Sequence, residues 1–186
     1  DTIQKNIPLS FGNLNKIHED IVNSPQWNEL QEEFNKRSNI IVVGHGGNLA
    51  VADHFAIDVT RLSKYKKSTF CPGSAIVSTS LINDTSFKDW LTNWFKTIEN
   101  PLDSSDTLII GISSSGRSSD IDGFFQYASM NNFKTSLITA IPSSIKADIQ
   151  VITNCESYHA SEVIALACGY QLVHGFGYVC PLIEKK

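Results

Sequence analysis

The sequence has no long apolar run and little positive charge. Its 186 residues include 15 Lys and Arg against 19 Asp and Glu, for a formal net charge of −4. No broad cationic field is therefore expected to attract nucleic acid or an acidic membrane. No apolar stretch approaches the roughly 20 residues that cross a bilayer, and no basic segment followed by an apolar one opens the chain. We therefore expect a protein that binds neither nucleic acid nor membrane.

Cysteine is also scarce. The four cysteines, at positions 71, 155, 168 and 180, form no C-x-x-C pair, and their spacing fits no zinc module. A small disulfide-bonded secreted domain would be much richer in cysteine. The pattern is typical of a protein from the reducing cytoplasm, and we expect a cytoplasmic location.

The fingerprints of nucleotide-binding proteins are missing as well. A P-loop needs G-x-x-x-x-G-K-[ST], and no lysine stands in such a context. The segment GHGGNL, residues 44–49, begins like G-x-G-x-x-G but lacks the third glycine. No clear acidic residue ends the following strand to hold a ribose. We expect no nucleotide cofactor.

What the sequence does contain is an alternation of short apolar runs with amphipathic segments. Apolar side chains recur at helical spacing from about Leu14 to Arg37, with a restart at Pro25 for which Ser24 is the expected cap. The runs NIIVVG and TLIIGI, residues 39–44 and 107–112, are typical of strands buried on both faces. KSTFC, KTSLITA and the weaker DIQVIT are further strand candidates, and helical patterns at 49–62, 74–83, 87–98, 118–132 and 157–173 separate or follow these strands.

This alternation predicts an α/β fold with a doubly wound, mainly five-stranded parallel sheet flanked by helices and preceded by an N-terminal helix. We expect one domain over residues 1–186, with an N-terminal helical region at 1–38 and an α/β core at 39–186. Ligands of such sheets bind outside the carboxyl ends of the strands, where the strand order reverses. This rule points to the loops at 44–48 and 113–118.

The second of these loops ends a buried strand in a cluster of hydroxyl groups. A helix start presents unpaired N–H groups and a partial positive charge, and serine hydroxyls add uncharged donors. Gly116 lets the backbone turn toward a ligand. The alternative is that Ser118 or Ser119 caps the helix and the other serines fill a turn. Capping accounts for one serine but not for four, so we favour a phosphate cradle formed by Ser113, Ser114, Ser115 and Ser118.

The two loops together resemble the SIS (sugar isomerase) domain. GHGGN…ADHFAID and GISSSGRSS, within 44–58 and at 111–119, are similar to the G-N-G-G-S, H-F-A-x-E and G-I-S-T-S-G-N-S motifs of the sedoheptulose-7-phosphate (phosphoheptose) isomerases. The resemblance spans nearly the whole chain. It implies a flavodoxin-like, Rossmann-like fold and aldose–ketose isomerisation of sedoheptulose 7-phosphate or a related sugar phosphate.

The resemblance also implies which residues bind the substrate. The serine loop would hold the phosphate, and the glycine turn would contribute His45, Gly46 and Gly47, with Asn48 where the family has serine. Asn83 and Asp84 match a pair that contacts the substrate, although such a pair also suits a helix stop and turn.

The catalytic and metal-binding residues of the resembled family are matched less completely than its substrate-binding residues. Isomerisation needs a base near the reacting carbons and stabilisation of an oxyanion. His54 and Asp58 are four residues apart on one helix face. The resemblance implies that they bind Zn²⁺ and act in catalysis, with Asp58 replacing a glutamate; the alternative is a surface hydrogen bond between the two side chains. Glu162 is either a proton acceptor or a carboxylate that favours the helix start. The family's other two zinc ligands, a glutamine and a histidine, fall on Ser161 and Gly169, which do not replace them.

The roles of three residues remain open at this stage. His159 and His174 lie near the missing ligands in sequence, and Arg117 either faces solvent or binds a second anionic group.

The last helix is apolar nearly all round, so we expect a homo-oligomer, a dimer or a tetramer; the resembled family is tetrameric. Because ligands are lost, a non-catalytic sugar-phosphate-binding regulator or assembly factor is the alternative to a sugar-phosphate isomerase.

Overall fold

The computed structural model of the protein describes residues 9–180 and 182–184. The predicted domain limits extend to residues 1–8, 181 and 185–186, which lie outside the described residues. The α-helices and strands occur in the order α1 Leu14–Val22, α2 Pro25–Lys36, β1 Asn39–Gly44, α3 Gly47–Leu62, β2 Ser68–Phe70, α4 Ala75–Asp84, α5 Trp90–Ile98, β3 Thr107–Ile112, α6 Ser119–Met130, β4 Lys134–Thr139, β5 Ile149–Ile152 and α7 Tyr158–Gly175.

All five strands are parallel and form one sheet in the order β2-β1-β3-β4-β5. Helices cover both faces because side chains alternate along each strand. Ile40 and Val42 pack in one core with α1, α2, α3 and α7. Ile41 and Val43 pack in the other core with α5 and α6. The predicted doubly wound α/β fold with its N-terminal helix is confirmed.

Side-chain caps mark the N-termini of the first two helices. Asn13 caps α1 by accepting a hydrogen bond from the Lys16 N–H at 3.0 Å. The Ser24 hydroxyl accepts from the Trp27 N–H at 3.1 Å, and Pro25 occupies the first turn of α2. Such a cap satisfies an N–H group that has no partner inside the helix. The restart at Pro25 is therefore confirmed.

The strand order reverses between β1 and β3. From this point the chain continues to β2 on one side and to β4 and β5 on the other. The loops that follow β1 and β3 diverge to helices on opposite faces of the sheet, which leaves a crevice at the carboxyl edge. Both loops singled out in the sequence, 44–48 and 113–118, stand at this crevice.

Several helix boundaries differ from the expected ones by up to three residues, and α7 is not buried all round. Helix α5 begins at Trp90 rather than Phe87, and α7 extends to Gly175. α7 is buried along one side, but Tyr158, Val163 and Tyr170 remain between 41% and 66% exposed. None of the described helices combines the length and the apolar character that crossing a membrane requires.

Candidate functional site

A cavity of about 260 Å³ opens between the glycine turn after β1 and the serine loop after β3. Backbone and side chains of three elements line it: the glycine turn, the serine loop and the first turns of α7. Its lining comprises His45, Gly46, Gly47, Asn48, Ile112, Ser113, Ser114, Ser115, Ser118, Tyr158 and Glu162. The structure thus brings together ten polar or glycine residues and one apolar residue at the predicted edge of the sheet.

The serine hydroxyls are not used to cap helix α6. Ser118 occupies the N-cap position, but its side chain makes no capping hydrogen bond. Its Oγ lies 3.0 Å from the Ser113 Oγ instead. The first-turn N–H groups of α6 therefore have no side-chain cap, at the end of a helix where the dipole favours an anion. Of the two interpretations of the loop, the ligand cradle agrees with this geometry better than the cap.

Neighbouring segments hold the serine loop in its conformation. The Ser114 carbonyl accepts a hydrogen bond from the Ala140 N–H at 3.1 Å, and the Gly116 carbonyl accepts one from the Ser143 hydroxyl at 2.6 Å. Gly116 has φ +61°, and a Cβ there would lie 2.7 Å from the Ser143 Cβ. Glycine is needed at this point for both reasons.

The glycine turn is tied to the serine loop by a direct hydrogen bond. The buried Asn48 donates from Nδ2 to the Ser114 Oγ at 3.1 Å. Helix α3 starts at Gly47 and, like α6, has no side-chain cap. Two uncapped helix N-termini, on opposite faces of the sheet, thus border the same cavity. Such a pair of termini can bind an anion without any lysine or arginine in the lining.

Glu162 reaches this cavity from α7 and lies against Gly47. A Cβ placed on Gly47 would overlap the Glu162 carboxyl group. The absence of a side chain at position 47 is therefore what makes room for the carboxylate. Glu162 thus lies at the cavity wall on the α7 side, whereas Ser113 and Ser118, the residues of the predicted phosphate cradle, lie on the β3–α6 side.

His54 and Asp58 do not line this cavity. They contact each other, with the His54 Nε2 3.1 Å from Asp58 Oδ2. His54 also lies 3.3 Å from the Tyr170 hydroxyl, and Asp58 accepts a hydrogen bond from Arg61 at 3.2 Å. Asp58 instead lines a separate cavity of about 510 Å³ between α1, α3 and α7, which His174 also borders. Within one chain, the metal and phosphate predictions thus fall on different sites.

The described residues do not fit a zinc site within one chain. No group of three or more His, Cys, Asp or Glu side chains among them is close enough to hold a metal ion, and protein zinc sites use at least three. Ser161 is buried. A Cβ on Gly169 would lie 2.8 Å from the Phe55 ring, so Phe55 fills the space that a ligand side chain there would need.

The remaining candidates lie at the periphery. Asn83 and Asp84 are exposed at the end of α4, where the Asn83 Nδ2 donates to Asp84 at 3.2 Å, and neither lines the cavity. His159 is exposed at the start of α7 and does not line it either. Arg117 is exposed and borders an adjoining cavity that shares Ser114, Ser115 and Tyr158 with the first. The predicted roles of Asn83, Asp84 and Arg117 stay predictions, and His159 is an exposed histidine outside the cavity.

The sequence analysis missed Asp120 and Trp90. Asp120 is fully buried in the first turn of α6 and accepts hydrogen bonds from His45 at 2.6 Å and from the Trp90 indole at 2.8 Å. An acidic residue in a first turn is ordinary, since the helix dipole favours it. No local signal distinguishes this carboxylate from Asp122 in the same turn.

Comparison with known proteins supports the fold. No protein-family model and no curated protein matches the sequence. Phosphoheptose isomerase from Neisseria gonorrhoeae superimposes with a TM-score of 0.70 at 15% identity, covering 88% of this chain and 90% of that one. A phosphoheptose isomerase from Francisella tularensis gives 0.73 at 14% identity, over 87% and 91% of the two chains. The NanR protein of Vibrio vulnificus, solved with ManNAc-6P, gives 0.60 at 15% identity, over 88% and 58%.

These neighbours confirm the predicted resemblance at the level of the fold. The chain has the three-layer α/β fold of these phosphoheptose isomerases. The same fold occurs in the sugar isomerase domain of the RpiR transcription factor from Sphaerobacter thermophilus, with a TM-score of 0.53 at 19% identity over 87% and 84% of the two chains.

Proposed function

We propose that this protein binds a phosphorylated sugar in the cavity between the glycine turn and the serine loop, and that it isomerises the sugar between its aldose and ketose forms. The carrying observation is that the hydroxyls of Ser113 and Ser118 face each other at an uncapped helix N-terminus. Sedoheptulose 7-phosphate is the substrate that the resemblance favours, and the cytoplasm is the location that the cysteine usage favours.

We assign different tasks to the two sides of the cavity. On the α6 side, N–H groups and hydroxyls would bind the phosphate oxygens with charge-assisted hydrogen bonds. On the α7 side, the Glu162 carboxylate would take a proton from a carbon of the sugar and return it to the neighbouring carbon. The exposed Arg117 would add a cation at the entrance. Zinc held by His54 and Asp58 would need further ligands from outside the described residues of the chain.

A non-catalytic sugar-phosphate sensor is the second candidate. The specific observation in its favour is that Ser161 and Gly169 stand where the resembled isomerases carry metal ligands, with Phe55 filling the space beside Gly169. The occurrence of the same fold in the RpiR transcription factor also supports this candidate. A sensor would bind phosphosugars without converting them.

We further propose that the protein is a homo-oligomer. Ile57 on α3 and Val163 and Tyr170 on α7 are apolar or aromatic and between 41% and 60% exposed. A second copy of the chain that packed on α3 and α7 would cover such side chains. Light scattering coupled to size-exclusion chromatography is expected to give the mass of a dimer or a tetramer, and a monomer at micromolar concentration would contradict this expectation.

Binding of sedoheptulose 7-phosphate, followed by calorimetry, tests the proposed function directly. Each hydroxyl that bonds a charged phosphate contributes about 1.5–3 kcal/mol, so Ser113→Ala should weaken binding about 10- to 150-fold. Ser119→Ala is the matched control, because Ser119 is exposed and does not line the cavity. Equal affinities for both variants would refute the phosphate cradle. Conversion of the sugar, measured by NMR, separates isomerase from sensor.

A further inference from the structure

A histidine, a buried carboxylate and a tryptophan form a hydrogen-bonded chain at the wall of the cavity. The His45 Nε2 lies 2.6 Å from Asp120 Oδ2, and the Trp90 Nε1–H donates to the same oxygen at 2.8 Å. His45 belongs to the glycine turn, Asp120 to α6 and Trp90 to α5. Elements that are far apart in sequence thus converge on one carboxylate oxygen.

Burial of the Asp120 carboxyl group is unfavourable for the stability of the fold. Its exposure is 0%, and its second oxygen, Oδ1, has no hydrogen-bond partner among the described residues. A buried charged group is unfavourable unless it is fully paired, and incompletely satisfied polar groups in native proteins call for an explanation. The explanation we draw from the geometry is the orientation of His45.

The carboxylate fixes how the imidazole is held. Because Oδ2 accepts from Nε2, the proton on Nε2 is retained and Nδ1 is the nitrogen that remains for exchange. Nδ1 has no hydrogen-bond partner among the described residues. The ring lies against Phe87 and Trp90, with centroids 5.7 Å and 6.3 Å away. The His45 side chain is 32% exposed, and His45 is one of the residues that line the cavity.

We propose that His45 carries the oxygen-bound proton of the isomerisation and that Asp120 is its positioning residue. This proposal rests on the proposed function. The resembled family has asparagine at this position of the glycine turn, and an amide does not exchange a proton in this way. His45 would therefore supply acid–base chemistry beside Glu162.

Glu162 and His45 together account for every proton that moves in the isomerisation. Glu162 takes the proton from C2 of the aldose, the C–H electron pair becomes the C1=C2 bond, and the carbonyl pair moves to O1. O1 receives the Nδ1 proton of the His45 imidazolium, which gives the enediol. Neutral His45 then takes the O2 hydroxyl proton, C2=O forms, and the C1=C2 pair takes the proton back from Glu162 at C1. Both side chains end in their starting protonation states.

The test compares the rate of conversion of sedoheptulose 7-phosphate with its affinity in the same variants. General acid–base catalysis contributes about 10²- to 10⁴-fold, so His45→Asn should lower kcat by that factor while Kd changes less than about threefold. In His45→Ala, added imidazole should restore part of kcat, which a structural role for the histidine does not explain. His159→Asn, an exposed histidine outside the cavity, serves as the control with unchanged kcat.

The role of Asp120 is tested by non-additivity. Asp120→Asn should lower kcat without raising KM, and it should cause no further loss in the His45→Asn background, because Asp120 acts through His45. A His45→Asn variant with more than a third of the normal kcat, or with affinity lost as strongly as kcat, overturns the proposal. A wild-type protein that binds the sugar but never converts it also overturns it while sparing the binding function. A protein that does not bind refutes both.

Discussion

Replacing Gly47 by alanine should displace the carboxyl group of Glu162, the proposed proton acceptor, without changing its chemistry. The alanine Cβ would overlap the Glu162 carboxyl group, far inside the contact distance of about 3.5 Å. Because the group in its way is the end of a flexible side chain, Glu162 can swing aside at a small cost in stability. Gly47 is also the first residue of α3, where alanine suits a helix. We therefore expect the free energy of unfolding to change by less than about 1 kcal/mol.

The displacement should instead appear in catalysis. A reacting group misplaced by about 1 Å can lower the rate about 100-fold. Gly47→Ala is therefore expected to slow the exchange of the carbon-bound proton of sedoheptulose 7-phosphate with D₂O by about that factor. Kd for the sugar should stay within about threefold of normal, since the proposed phosphate cradle lies on the α6 side of the cavity. NMR measures the exchange, and calorimetry measures the affinity.

Glu162→Gln provides the matched comparison. It should slow the same exchange by about 10²- to 10⁴-fold, and the double variant should be no slower than Glu162→Gln alone, because both changes act on one carboxylate. If Gly47→Ala exchanged the proton within threefold of the normal rate, the position of Glu162 would not matter to the chemistry. If the double variant were another 100-fold slower, Gly47 would act by a route other than Glu162.

Three further predictions concern metal, thiols and an ion pair. EDTA should change sugar binding and conversion by less than about twofold, because His54 and Asp58 lack a third ligand among the described residues; loss of activity with recovery on adding Zn²⁺ would contradict this. Burial raises the pKa of the Cys71 and Cys168 thiols to about 12, with a smaller contribution from Asp53 to Cys71 and from the Cys155 thiol to Cys168. Iodoacetamide at pH 8 should therefore label both only after unfolding, as read by mass spectrometry. Burial by itself raises the pKa of Glu33, but the hydrogen bond and charge of Arg37 outweigh burial and hold that pKa below the usual 4.5. The stability that this pair contributes is present above pH 4.5 and is lost as the pH falls through the lowered pKa. Glu33→Gln should therefore be less stable than the wild type at pH 7 and approach the wild-type stability on acidification, as followed by urea unfolding.

The order of strands and helices followed from the sequence because its causes are local. Apolar periodicity, the Ser24–Pro25 helix start and the hydroxyl cluster after β3 each depend on neighbours within a few residues. The rule for ligands of parallel sheets then located the cavity from the two loops alone. Glu162 was recognised as a candidate because a carboxylate stood out in an apolar helix.

Only the tertiary structure decided which distant groups meet. His45 and Asp120 are 75 residues apart in the chain, and no periodicity or spacing indicates that one orients the other. The crossovers of the sheet place Glu162 against Gly47, Phe55 against Gly169, and Asp58 in a cavity away from the serines. These are packing outcomes, determined by how helices on the two faces of the sheet share one edge. Short-range patterns in the sequence specify the elements, whereas the chemistry of the site depends on contacts between elements.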